Sequence, residues 1–144
     1  AKDLPGSALL FPLKLKVKGS PDGLVRTVLG IDESNQCMIF AGDLPVGSYA
    51  QFMMANFDRV IDGAVGAAQQ SYEGVLDKSP ELALLISCVG RKTILKQRVD
   101  EEVEGVRGVL GEKTHLTGFY SYGEISPLTG YSRCELHNQT MTIT

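Results

Sequence analysis

Leu13, Leu15 and Val17 alternate with Lys14, Lys16 and Lys18, the period-two signature of a strand with one wet face, here within residues 8–17. The turn cluster Gly19-Ser20-Pro21-Asp22-Gly23 follows, then a second strand over about 24–31. Asp32-Glu33-Ser34-Asn35 turns the chain into a third strand from Gln36 to Phe40, which together predict an antiparallel meander. Beyond the loop 42–48, Tyr49 to Met54 reads as a fourth strand. The period then lengthens: Phe57, Val60, Ile61, Ala64, Val65, Ala68, Tyr72, Val75 and Leu76 fall at helical spacing. Asn56 supplies the N-cap and Lys78-Ser79-Pro80 the stop. Gly63, Ala64, Gly66, Ala67 and Ala68 thin part of this helix, which predicts close packing against a sheet.

From Leu82 to Val89 the chain is almost continuously apolar, as in a central strand covered on both faces. Gly90-Arg91-Lys92-Thr93 turns it into a second helix with the stripe Leu95, Val99, Val103, Val106 and Leu110. The outer face carries Glu101, Glu102 and Glu104, and Gly111 is the C-cap. Strands around Thr117 to Tyr122 and Arg133 to Ile143 complete the chain. This order predicts an α+β fold: a mixed, largely antiparallel sheet of about six strands, two helices, and one central strand-helix-strand unit with a parallel pair. The last strand alternates cleanly on neither face, and a bulge near His137 to Gln139 would reset its register.

With 144 residues the chain reads as a single domain, 1–144, able to bury a core. A net charge of -3, with no basic cluster beyond Lys14/Lys16/Lys18 and Arg91-Lys92, argues against a nucleic-acid partner. No apolar run nears the roughly 20 residues of a membrane span, so no membrane partner is expected. Three widely spaced cysteines, Cys37, Cys88 and Cys134, fit a reducing cytoplasmic compartment better than a disulfide framework. The opening Ala1-Lys2-Asp3 lacks Met and a signal peptide, and is read as the start of a fragment of a longer protein.

Candidate chemistry gathers at two places. Arg91 follows the central strand at a helix start, where backbone N–H groups and the dipole favour an anion and where a guanidinium can grip a carboxylate. Tyr122-Gly123-Glu124 ends the next strand and, in a parallel pair, would lie beside Cys88 and Arg91. An Arg91/Glu124 pair could receive a zwitterion, or it could be a buried ion pair holding the loop Ile125 to Tyr131. A Cys88/His137 nucleophile and base lacks any local signature. Cys134-x-x-His137 places its side chains on opposite faces of a strand, with no second pair to complete a zinc site. His137 as a haem ligand stays open beside a structural role. No dinucleotide or P-loop glycine pattern occurs. No catalytic residue and no metal ligand are expected.

Ser87-Cys88-Val89-Gly90-Arg91, the glutamate-rich second helix, Gly118-Phe119-Tyr120-Ser121-Tyr122-Gly123-Glu124-Ile125 and Leu136-His137-Asn138-Gln139-Thr140 together resemble the C-terminal domain of FIST (F-box and intracellular signal transduction) proteins. Gly42-Asp43-Leu44-Pro45-Val46-Gly47 is similar to that family's Gly-Asp-x-Pro-x-Gly loop, and the resemblance spans about 40–144. It implies a sensory, non-catalytic domain of a signalling protein. The expected partners are a small-molecule ligand such as an amino acid, a FIST N-terminal domain upstream, and signalling proteins. The resemblance also implies haem as an alternative ligand; a protein–protein interaction or structural module whose polar motifs are internal is the alternative role. It favours a ligand site formed by Cys88, Arg91, Tyr122, Gly123, Glu124, His137 and Asn138; the cofactor is not identified.

Overall fold

A computed structural model of the chain describes residues 6–16, 23–73, 80–127 and 133–144. A 3-10 turn, Gly6–Leu10, precedes β1 (Leu13–Leu15), β2 (Leu24–Arg26), β3 (Val28–Asp32), β4 (Cys37–Phe40) and β5 (Ala50–Phe52). Helix α1 (Phe57–Glu73) leads to β6 (Leu82–Cys88), α2 (Val89–Leu95), a 3-10 turn (Lys96–Arg98) and α3 (Val99–Leu110). The chain ends with β7 (His115–Ser121), β8 (Glu124–Ser126), β9 (Glu135–His137) and β10 (Met141–Ile143). The class is α+β, as the patterning predicts. Among the described residues the strands number ten and fall into four small sheets, where about six in one sheet were expected.

The main sheet has the order β10-β6-β7, with β6 and β7 parallel from Leu82↔His115 to Cys88↔Ser121 and β10 antiparallel to β6. This is the predicted strand-helix-strand unit. Along β6, Ala83 and Leu85 face the helices and join Ala64, Ala68, Val106, Leu110 and Met141 in the core. Ala64 and Ala68 are wholly buried, so these two residues of the thin part of α1 form its packing surface. A Cβ on Gly105 of α3 would come within 2.8 Å of Val65 Cγ2, which shows how closely the two helices approach. On the other face of β6, Leu84 and Ile86 are only half-buried, so the strand is packed fully on one side, not on both.

The first half is not a continuous meander. Strand β1 pairs with β2 and, on its other side, with β5, while β3 and β4 form a separate hairpin. The predicted second strand breaks at Thr27, whose N–H leaves the ladder to donate to Asn138 Oδ1 at 3.2 Å. At the β3–β4 turn, the Asp32 carboxylate accepts from the Ser34 hydroxyl at 2.6 Å and the Asn35 side chain at 2.8 Å. Those bonds pull its pKa down to about 2. Asn56 caps α1 as predicted, its Oδ1 accepting from the Arg59 N–H at 3.1 Å. Residues 19–22 of the first turn cluster, and Lys78 and Ser79 of the helix stop, lie outside the described residues.

The predicted second helix is divided. Lys96, with φ 54, ends α2, and α3 starts after one 3-10 turn. Gly111 caps α3 with φ 91, its N–H donating to Arg107 O at 2.8 Å. The predicted last strand is likewise two strands with different partners, β9 on β8 and β10 on β6. Between them Gln139 adopts φ 56, so residues 137–140 form a crossing between sheets and not a bulge within one strand.

Candidate functional site

Arg91 is 3% exposed in α2 and takes its carboxylate partner from α3. Its Nη2 donates to Glu102 Oε2 at 2.9 Å and to Val60 O at 2.6 Å, and its Nε donates to the same Oε2 at 3.1 Å. Ser87 Oγ donates to Glu102 Oε1 at 3.3 Å. Nη1, which bears two N–H groups, has one acceptor, Gln139 O, at 3.4 Å. The guanidinium therefore ties α1, α2, α3 and the 137–140 crossing together. Its partner is Glu102, a residue that patterning placed on the solvent face of the helix and that is 1% exposed.

Glu124 does not pair with Arg91. Its carboxylate accepts from the Ser121 hydroxyl and, at 2.8 Å, from the Thr140 hydroxyl. Asn138 accepts from Thr27 N–H and donates through Nδ2 to His137 O at 3.1 Å. His137 is buried, with Nε2 2.9 Å from Ser126 O. A haem iron would need that nitrogen, so the residues present do not fit a histidine-ligated haem here. Tyr122 stands apart in solvent at 86% exposure, and Gly123 lies where a Cβ would meet Leu136 Cδ1 at 3.1 Å. Among the described residues no group of three His, Cys, Asp or Glu side chains is placed to hold a metal ion.

Cys88 is buried, and burial pushes its thiol pKa up; the N–H groups of Gly90 and Gln139 oppose that by less. A protonated, enclosed thiol is a poor nucleophile. Under limiting N-ethylmaleimide, the exposed Cys37 and Cys134 should be modified first and Cys88 should lag, as read by peptide mass spectrometry. Modification of Cys88 as fast as Cys37 would contradict this environment.

Arg91 and His137 share the wall of a cleft of about 670 Å³ between α1, residues 53–56 and the strand β10. Cys88, Tyr122, Gly123, Glu124 and Asn138 are not on its lining. Gln139, Thr140 and Thr142 line it from one side and Asn56, Arg59 and Gln70 from the other. Gly63 and Gly66, expected to serve packing, face the opening: a Cβ on Gly66 would meet nothing within 4 Å, and one on Gly63 only Arg91 Nη1 at 3.5 Å. Their missing side chains make the room. Patterning also missed Arg26, 6% exposed, whose Nε donates to Asp43 O at 3.1 Å and whose Nη1 donates to Leu136 O at 2.9 Å. A Cβ on Gly42, at φ 125, would lie 2.9 Å from Arg26 Nε, so the Gly42-Asp43 loop closes over this arginine. The one available signal was a lone arginine between Val25 and Thr27 in an apolar strand.

The family model described as the FIST C domain matches residues 1–127. The match thus takes in the first forty residues and stops before the Leu136–Thr140 motif. Two uncharacterized proteins from different strains of Mycobacterium tuberculosis are each 30% identical over 132 residues, covering 90% of this chain and 33% of their own length. The chain therefore spans about a third of the curated relatives it matches. No solved structure matches.

Proposed function

Because the chain belongs to the FIST C domain family, a family associated with signal-transduction sensors, we propose that it is the ligand-sensing, non-catalytic module of a cytoplasmic signalling protein, and that the cleft beside α1 holds the ligand. The observation that carries this reading is the Arg91 guanidinium: three internal anchors fix it, yet Nη1 keeps donor capacity next to the opening left by Gly63. A fixed cation in a preformed cleft of this size suits a small metabolite. Arg91 and His137 are the proposed contacts. Cys88, Glu124 and Asn138 are proposed as positioning residues: the Cys88 N–H donates to Thr140 O at 3.0 Å and Glu124 accepts from the Thr140 hydroxyl, so both fix a wall residue. Gly123 is proposed to let the Leu136 side chain approach, and Tyr122 to lie outside the cleft. A FIST N-terminal domain and signalling proteins are the proposed partners.

One observation favours an interaction role beside this. Among the described residues β7 pairs only with β6, and the strand contains no Asp, Glu, Lys or Arg while exposing Phe119 at 56%. An edge of that kind is a template for strand addition.

A thermal-shift screen against metabolites, amino acids included, tests the ligand reading. A ligand at about 100 times its Kd should add about 2.7 kcal/mol of stability. Gly63→Leu, a helix-compatible change that fills the opening, should remove the shift. A hit that stabilises the variant as much as the parent would place the ligand elsewhere.

A further inference from the structure

Resting on that reading of the cleft, we propose that its ligand is an organic anion, a carboxylate or phosphate headgroup on an apolar body, taken in preference to a zwitterionic amino acid or a cation. The ionisable side chains on the lining that can carry positive charge are Arg59, Arg91 and His137. Among the described residues no Asp or Glu lines it, although the chain has 17 acidic residues against 14 basic ones. The acidic excess is therefore kept off this surface. Glu102 neutralises part of the Arg91 charge from behind, through Nε and Nη2. Arg59 has no such partner: among the described residues, no carboxylate lies within ion-pair distance of it. An anion entering the cleft meets one exposed cation at the α1 end and the Nη1 donors of a buried one.

An ammonium group meets the opposite. With no carboxylate among the described lining residues it would meet only neutral acceptors, amide and hydroxyl oxygens such as those of Gln70 and Thr142 and backbone carbonyls, several of which already accept a donor. Val60 O and Gln139 O accept from Arg91, Ser126 O lies against His137 Nε2, and Ile143 O accepts from Ser71 Oγ at 2.7 Å. Burying a charge without a counter-charge is costly, so an α-amino group gains less here than an anionic headgroup does. The rest of the lining, with Met53, Met54, Val60, Ala67 and Ile143, offers adaptable apolar surface to the body of the ligand.

The test is a set of probes with one six-carbon body and different headgroups: hexanoate, hexyl phosphate, hexanamide, hexylamine and norleucine. Each is titrated into the isotope-labelled protein, with amide chemical shifts as the readout. Hexanoate and hexyl phosphate should bind about tenfold or more tightly than the other three, and more weakly as salt rises from about 20 to about 200 mM. Which of the two anions binds tighter separates a carboxylate from a phosphate ligand. Arg59→Gln should reduce anion affinity several-fold and leave hexanamide unchanged. If norleucine or hexylamine binds as tightly as hexanoate, and Gly63→Leu abolishes all binding, the anion preference is wrong while the cleft stands. If no probe perturbs residues around the cleft, the reading of the cleft fails and the inference with it.

Discussion

Glu102→Ala should cost the domain about 3–5 kcal/mol, the range found when one member of a buried ion pair is removed. The reason lies in what stays behind. Arg91 would remain 3% exposed with two backbone carbonyls and no counter-charge, and Ser87 Oγ would lose its acceptor. For a chain of this length the loss corresponds to a fall in melting temperature of about 10 °C. Glu102→Gln keeps the volume and one acceptor, and should cost clearly less. A melting temperature for Glu102→Ala within about 2 °C of the parent would show that Arg91 is not held by this pair. The test bears on the site as well, because the anchors on Nε and Nη2 are what leave Nη1 at the cleft.

Gly118→Ala should be of similar severity, about 3 kcal/mol or more, for a reason unrelated to charge. Gly118 sits opposite Leu85 in the parallel β6–β7 pair. A Cβ there would fall onto the Leu85 carbonyl oxygen, and would also lie 2.9 Å from its carbon and 3.1 Å from Leu85 Cβ. The obstacle is backbone of the central strand, which cannot swing aside as a side chain can. The expected result is a lower melting temperature, with loss of amide-exchange protection centred on β7. If Gly118→Ala melts like the parent, the close approach of the two strands is misplaced. This also gives physical content to the first residue of the Gly118–Ile125 motif: the glycine permits the pairing that positions Glu124.

Much of the frame was legible. Period-two and period-3.6 patterning located α1, its Asn56 cap, the Gly111 cap and the parallel β6–β7 pair. What escaped depends on contacts between distant parts of the chain. Nothing in Leu95-Lys96-Gln97 marks a helix break, yet Lys96 takes a positive φ. Residues 11 apart on one straight helix would be separated by about 16 Å along its axis. The break is what lets Arg91 and Glu102 meet, whereas the parallel strand pair had pointed to Glu124 as the candidate partner. Thr27 leaves its strand for a side chain 111 residues away, which no local pattern encodes. Gly63 and Gly66 have the spacing of a packing stripe, but Ala64 and Ala68 take that role and the glycines face the cleft. Glu124, His137 and Asn138, candidates from the sequence, are each 3% exposed or less. Residue type alone does not distinguish an internal partner from a ligand.

Adding a hit from the metabolite screen to the isotope-labelled protein shows through backbone amide shifts whether the cleft beside α1 receives it. The largest changes should fall at Gly63, Gly66, Ala67, Gln139, Thr140 and Thr142, all on the cleft wall, with Tyr122 unmoved. Changes concentrated on β7 and Tyr122, with Gly63 and Gln139 unaffected, would contradict binding in the cleft.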